Sequence, residues 1–198
     1  MNLLSEKLSV YFVNNKLIDE TDKEVFKYGF VVFCSTVGKF FIYALIFSLL
    51  GNFLEYITFA IGFCILRVYS GGYHSETFAK CFATSLLIIL FGLYVSKVLY
   101  LWKMINLPLV LCTLSVAIVY KFAPGKVKNR PLTSTEYYEF RKKSRIVVLL
   151  FTFLVVVMRF CFETSVLNYI FAIAMFIQSL NIISLRSGDN EKEDVLTI

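Results

Sequence analysis

The chain contains one histidine, His74, and a cysteine, Cys81, stands seven residues after it. There are five cysteines in all, and that odd number argues against a disulfide framework. Cys34, Cys64, Cys112 and Cys161 fall inside apolar blocks, where a cysteine behaves as a small hydrophobe. Cys81 alone lies beside a polar, glycine-rich segment. A single histidine rules out two-histidine zinc motifs and histidine clusters, so neither a metal nor a cofactor is expected. An imidazole within reach of a thiol points elsewhere, to nucleophilic catalysis. The thiolate attacks a carbonyl and splits one difficult reaction into two through a covalent intermediate. The histidine takes the thiol proton and later protonates the leaving amine. A lone histidine is otherwise a surface or structural residue, so its neighbours decide.

Those neighbours are Arg67-Val68-Tyr69-Ser70-Gly71-Gly72-Tyr73-His74-Ser75-Glu76-Thr77-Phe78-Ala79-Lys80-Cys81. In one continuous helix, His74 and Cys81 would share a face but sit about 10.5 Å apart along the axis. Gly71-Gly72 relieves this by allowing a turn at φ > 0. With Ser75 or Thr77 capping a helix, Cys81 lies in its first turns and His74 folds back from the preceding loop. An imidazolium and the positive helix end would then both favour a thiolate. No orienting third residue stands out; Ser70, Glu76 and Asn129 are polar candidates.

The elements that must position these residues are membrane helices. Apolar residues make up 58% of the 198, yet the net charge is +6. A soluble domain shows roughly 45–50% apolar residues at amphipathic period. Here they form long blocks with few charges, which predicts an all-α, polytopic membrane helical bundle as a single domain, residues 1–198. Six spans are expected: Phe30–Leu50, Phe53–Leu66, Phe82–Trp102, Ile105–Ala123, Ile146–Phe162 and Val166–Leu185. The second is short and reaches across if Arg67 snorkels; Lys97 is placed to snorkel at the end of the third. Trp102 reads as an interfacial aromatic, and Pro108 sits in a first helical turn, where its missing N–H costs least. Thr133-Ser134-Thr135-Glu136 reads as a capping box opening a helix that runs on into the fifth span.

Residues 1–29 are too charged for a cleavable signal peptide. Leu4, Leu8, Tyr11, Ile18 and Val25 recur there at helical spacing, which predicts an amphipathic helix, either lying in the cytosolic membrane interface or packed as a solvated helix under the bundle. Four lysines in this segment and eight basic residues in Lys121–Arg145 lie on one side of the bundle by the positive-inside rule. Both termini, the 67–81 segment and the 121–145 loop are therefore expected in the cytosol, an arrangement six spans satisfy and five do not. The basic loop orients the bundle; Lys126, Lys128 and Arg130 are also placed to hold an acidic peptide tail or anionic lipid. Charges confined to membrane-flanking loops argue against nucleic-acid binding. Lys39 falls mid-span, where an ammonium normally faces the bundle interior, and Ser35 one turn earlier would extend a polar stripe.

The pattern Arg67-x3-Gly71-Gly72-Tyr73-His74-x6-Cys81, the six spans around it and the basic loop with Ala123-Pro124 and Asn129-Arg130-Pro131 resemble the accessory gene regulator protein B (AgrB) family. The resemblance covers nearly the whole chain. It implies a membrane cysteine peptidase of Gram-positive quorum sensing, in the cell membrane, with its active site facing the cytosol. It further implies a propeptide substrate of the AgrD type, cut to release an acidic C-terminal tail and cyclised to a thiolactone, and a homodimeric enzyme. Carried onto this sequence, Cys81 is the nucleophile and His74 the base, with Arg67, Gly71 and Gly72 as further motif positions. A non-catalytic peptide exporter is the rival reading, in which Lys39, Arg159 and Glu163 would matter more. Inverted-repeat transporters show similarity between halves, and none is visible here.

Overall fold

The computed structural model describes residues 2–71, 78–125, 133–161 and 165–196, with side chains over 5–27, 29–71, 78–125, 133–160 and 165–183. Among the described residues every regular element is helical. The chain forms two compact units, residues 1–50 and 51–198.

In the first unit, α1 spans Asn2–Asn14 and α2 spans Lys23–Leu49, with a short 3₁₀ turn at Glu20–Asp22. The N-terminal helix forms as the periodicity predicts but ends earlier. Lys16 takes a left-handed φ of 54°, and Leu17 N–H reaches back to the Phe12 carbonyl at 2.9 Å. This Schellman-type closure satisfies the orphan carbonyls and turns the chain. Ile18 therefore lies in the connection, and Val25 belongs to α2. The buried positions of α1 are Ser5 and Ser9, whereas Tyr11 is exposed. Phe12 packs on Phe26 of α2 with ring centroids 5.0 Å apart. At 27 residues α2 is about 40 Å long, ample for the hydrocarbon core. Lys39 is buried along it, as an intramembrane ammonium should be.

The second unit opens with α3 (Phe53–Ala60), a π-helical turn (Ile61–Ile65) and α4 (Leu66–Ser70), which run on as one helical segment. Its 18 residues replace the short second span expected from Phe53–Leu66, because the helix continues through Arg67. Next come α5 (Phe78–Leu101), α6 (Leu107–Phe122), α7 (Ser134–Cys161) and α8 (Val166–Leu196). Glu20–Leu49, Phe53–Ser70, Phe78–Leu101 and Val166–Ile183 are long and apolar enough to cross a membrane; α6 is apolar but shorter. The protein is thus an all-α membrane protein.

Local signals hold where expected. Pro108 opens α6. At the start of α7, the Thr133 backbone N–H donates to the Glu136 carboxylate at 3.0 Å and the Glu136 N–H to Thr133 Oγ1 at 3.4 Å, a reciprocal capping box. That helix then continues to Cys161 without interruption.

The hub of this unit is α8, which touches α3, α4, α5, α6, α7 and the π turn. Its residues Asn168–Met175 are buried on every side, as befits a helix wrapped by others. Leu66, Cys112, Val119, Val148, Val155, Phe171, Met175 and Ile182 form the core. Cys112 is a packing residue, fully buried. Gly62 lets the π turn approach α8: a Cβ there would lie 3.2 Å from the Phe171 carbonyl oxygen. Gly92 does the same for α5, since a Cβ would run into the Phe59 ring.

Candidate active site

Cys81 lies in the first turn of α5, half-buried. Described from Phe78, the helix reaches four residues further toward the N-terminus than the expected span. Arg67 on α4 approaches from the preceding segment. Its guanidinium rests 5.6 Å from the centroid of the Phe63 ring and interacts electrostatically with both Cys81 and Cys64. A guanidinium that interacts with a thiol favours its thiolate, the form in which cysteine acts as a nucleophile.

Between these two positions the chain turns sharply. Gly71 ends α4 with φ 79° and ψ 174°, a conformation essentially restricted to glycine. A Cβ at this residue would also meet the Gly125 carbonyl oxygen at 3.1 Å. The glycine is required twice over, by its dihedrals and by the close approach. Gly72, His74, Glu76 and the capping candidates Ser75 and Thr77 lie outside the described residues, as do Lys126, Lys128, Asn129 and Arg130.

The structure nevertheless joins the motif to the entrance of the basic loop. Gly125 N–H donates to the Ser70 carbonyl at 2.9 Å, and Ala123, Pro124 and Gly125 are all buried. Lys126 follows directly. Ser70 is fully buried, and its hydroxyl accepts a hydrogen bond from Gln178 Nε2 at 3.1 Å. The same amide donates to the Gly71 carbonyl at 2.8 Å. Ser70 is therefore engaged in holding the turn. Two of the basic residues also have intramolecular partners: Arg145 donates to the Tyr120 carbonyl at 3.0 Å, and Lys143 pairs with Glu139 at 3.0 Å.

Gln178 and Gly125 are the site neighbours that sequence reasoning missed. A glutamine inside an otherwise apolar span needs a partner, and that signal was present in Val166–Leu185. Nothing in the sequence says the partner is Ser70-Gly71. Lys97 is a second difference. Its ammonium lies 2.7 Å from Glu55 and 2.9 Å from Asn52 Oδ1, partners that the sequence did not indicate, because α3 packs along α5 at that level.

The family profile described as Accessory gene regulator B matches residues 5–182. Two Clostridium perfringens proteins named AgrB-like are similar. One, from strain SM101 (type A), is 30% identical over 155 residues, covering 74% of this chain and 69% of that protein. The other, from strain 13 (type A), is 30% identical over 153 residues, with the same coverage of each chain. No solved structure matches.

Proposed function

Since this chain belongs to the accessory gene regulator B family, with its place in the agr quorum-sensing system, we propose that it is a membrane cysteine endopeptidase that cuts and cyclises a signalling propeptide. One observation supports this most: a glycine-only turn at Gly71 ends α4 ten residues before Cys81 in the first turn of α5, and the connection bears the chain's only histidine.

In this reading His74 accepts the Cys81 thiol proton and the sulfur attacks the scissile carbonyl of the propeptide. The C–N bond breaks, and the tail leaves as an amine protonated by the imidazolium. A thioester to Cys81 remains. A cysteine within the retained peptide then attacks that thioester, forms the thiolactone and releases Cys81. Exchange between thioesters is close to energetically neutral, so closure needs no ATP. Lys126, Lys128 and Arg130 hold the acidic tail, the site faces the cytosol, and the enzyme acts as a homodimer in the cell membrane.

Cys81→Ala is expected to insert normally and abolish cleavage, and His74→Ala to do nearly the same. Alanine at Cys34, Cys64, Cys112 or Cys161 keeps cleavage. A propeptide whose ring-closing cysteine is alanine should accumulate as an adduct mapping to Cys81 and released by hydroxylamine. Cleavage persisting in Cys81→Ala would refute the assignment, and a free linear carboxylate with no adduct would leave a plain peptidase.

A further inference from the structure

The polar cluster behind the motif is built from residues far apart in the chain. Gln178 on α8 is fully buried. Its amide group donates to Ser70 Oγ at 3.1 Å and to the Gly71 carbonyl at 2.8 Å, and Gly125 N–H donates to the Ser70 carbonyl at 2.9 Å. Among the described residues Gln178 Oε1 has no hydrogen-bond partner. A buried amide with its acceptor unsatisfied costs stability. An apolar side chain of similar volume would avoid that cost, so packing alone does not explain a glutamine here.

The two hydrogen bonds meet the chain where its direction is decided. Gly71 is the last described residue before the connection to Cys81, and it occupies a backbone region open only to glycine. A glycine in that region is flexible unless its carbonyl is held. Gln178 supplies the hold, from the central helix of the unit.

We propose that Gln178 is a positioning residue for the peptidase site: by clamping the Ser70-Gly71 turn to α8 it fixes the point at which the chain leaves α4 on its way to Cys81. The clamp also includes Gly125, so the entry to the basic loop and the end of α4 are tied at one point. This rests on the peptidase reading above, and its effect is on geometry. Displacing a catalytic group by about 1 Å can cost roughly 100-fold in rate.

The test is Gln178→Met, which keeps volume and burial but removes both donors, in the full-length protein in membranes. Propeptide cleavage kinetics and the rate of Cys81 alkylation by iodoacetamide at neutral pH, mapped by mass spectrometry, are both read. We expect kcat to fall about 10- to 100-fold with KM within about twofold, and alkylation to slow toward the rate in His74→Ala. Ser70→Ala, which removes one of the two acceptors, should give a smaller change of the same kind and replaces the methionine variant if that fails to accumulate. Unchanged kcat and alkylation in these variants would overturn the proposal while leaving the loss in Cys81→Ala intact. If the unsubstituted protein cuts no propeptide, the peptidase reading falls instead, and the alkylation ratio alone decides the clamp.

Discussion

The two ends of α5 each hold a polar cluster, about 24 Å apart along the helix, and they are built on opposite principles. At the far end, Lys97 pairs with the Glu55 carboxylate at 2.7 Å and donates to Asn52 Oδ1 at 2.9 Å. At the near end, the hydrogen bonds of Ser70, Gly71, Gly125 and Gln178 go largely to backbone carbonyls. Arg67, three residues before Ser70, interacts electrostatically with Cys81. A cluster whose charges neutralise each other stabilises a helix contact and has little left to offer a substrate. One whose hydrogen bonds go to the backbone fixes the course of the chain instead. Polar residues in an apolar bundle therefore divide by what their hydrogen bonds hold in place.

Three variants would break or sharpen that contrast. The largest effect is expected at Gly71→Ala, which forces a Cβ into a glycine-only conformation and within 3.1 Å of the Gly125 carbonyl. The strain, about 1–3 kcal/mol, falls on the turn itself. Cleavage should drop roughly 10- to 100-fold while the protein still inserts. Activity equal to the unsubstituted protein would show that the turn does not position the site.

Neutralising Lys126, Lys128 and Arg130 together to glutamine should have an intermediate effect. If they bind an acidic tail, KM rises several-fold, and added salt weakens cleavage in the unsubstituted protein by screening the same attraction. Cleavage indifferent to both would return these residues to topology alone.

The smallest catalytic effect is expected at the far end. Glu55→Gln removes the charge that faces Lys97, whose side chain is 43% exposed. A partly solvated pair contributes up to about 1 kcal/mol, so thermal stability should fall by a few degrees at most and kcat should not change. A large loss of kcat in Glu55→Gln would join the two ends of α5 into one functional unit and end the distinction.

Much of this was legible before any coordinates, and the reason is locality. Spans follow from runs of apolar residues, and the start of α7 from Thr133 and Glu136 meeting within one turn. A turn at Gly71 follows from the freedom of glycine, and the interest of Cys81 from its polar flank. The misjudged positions were those where a helix end depends on backbone closure rather than side-chain type. Lys16 takes a left-handed conformation that glycine usually fills, so α1 stops at Asn14 while the apolar periodicity runs on. Arg67 reads as the start of a loop, yet a π turn carries the helix past it.

Other features arise only when distant segments pack. Gln178 and Gly71 are 107 residues apart, and Lys97 and Asn52 are 45 apart. A hydrophobic pattern states that a polar residue inside a span must find a partner, since an unsatisfied group there is costly, but it does not state which. The choice belongs to helix packing around α8: that contact aligns Gln178 with the end of α4 and brings Gly125 against Ser70. Composition and local spacing thus determined the membrane helices and the candidate nucleophile. The clamp behind that nucleophile was decided by tertiary structure, because its hydrogen bonds exist only once α4, α8 and the entry to the basic loop share one level of the bundle.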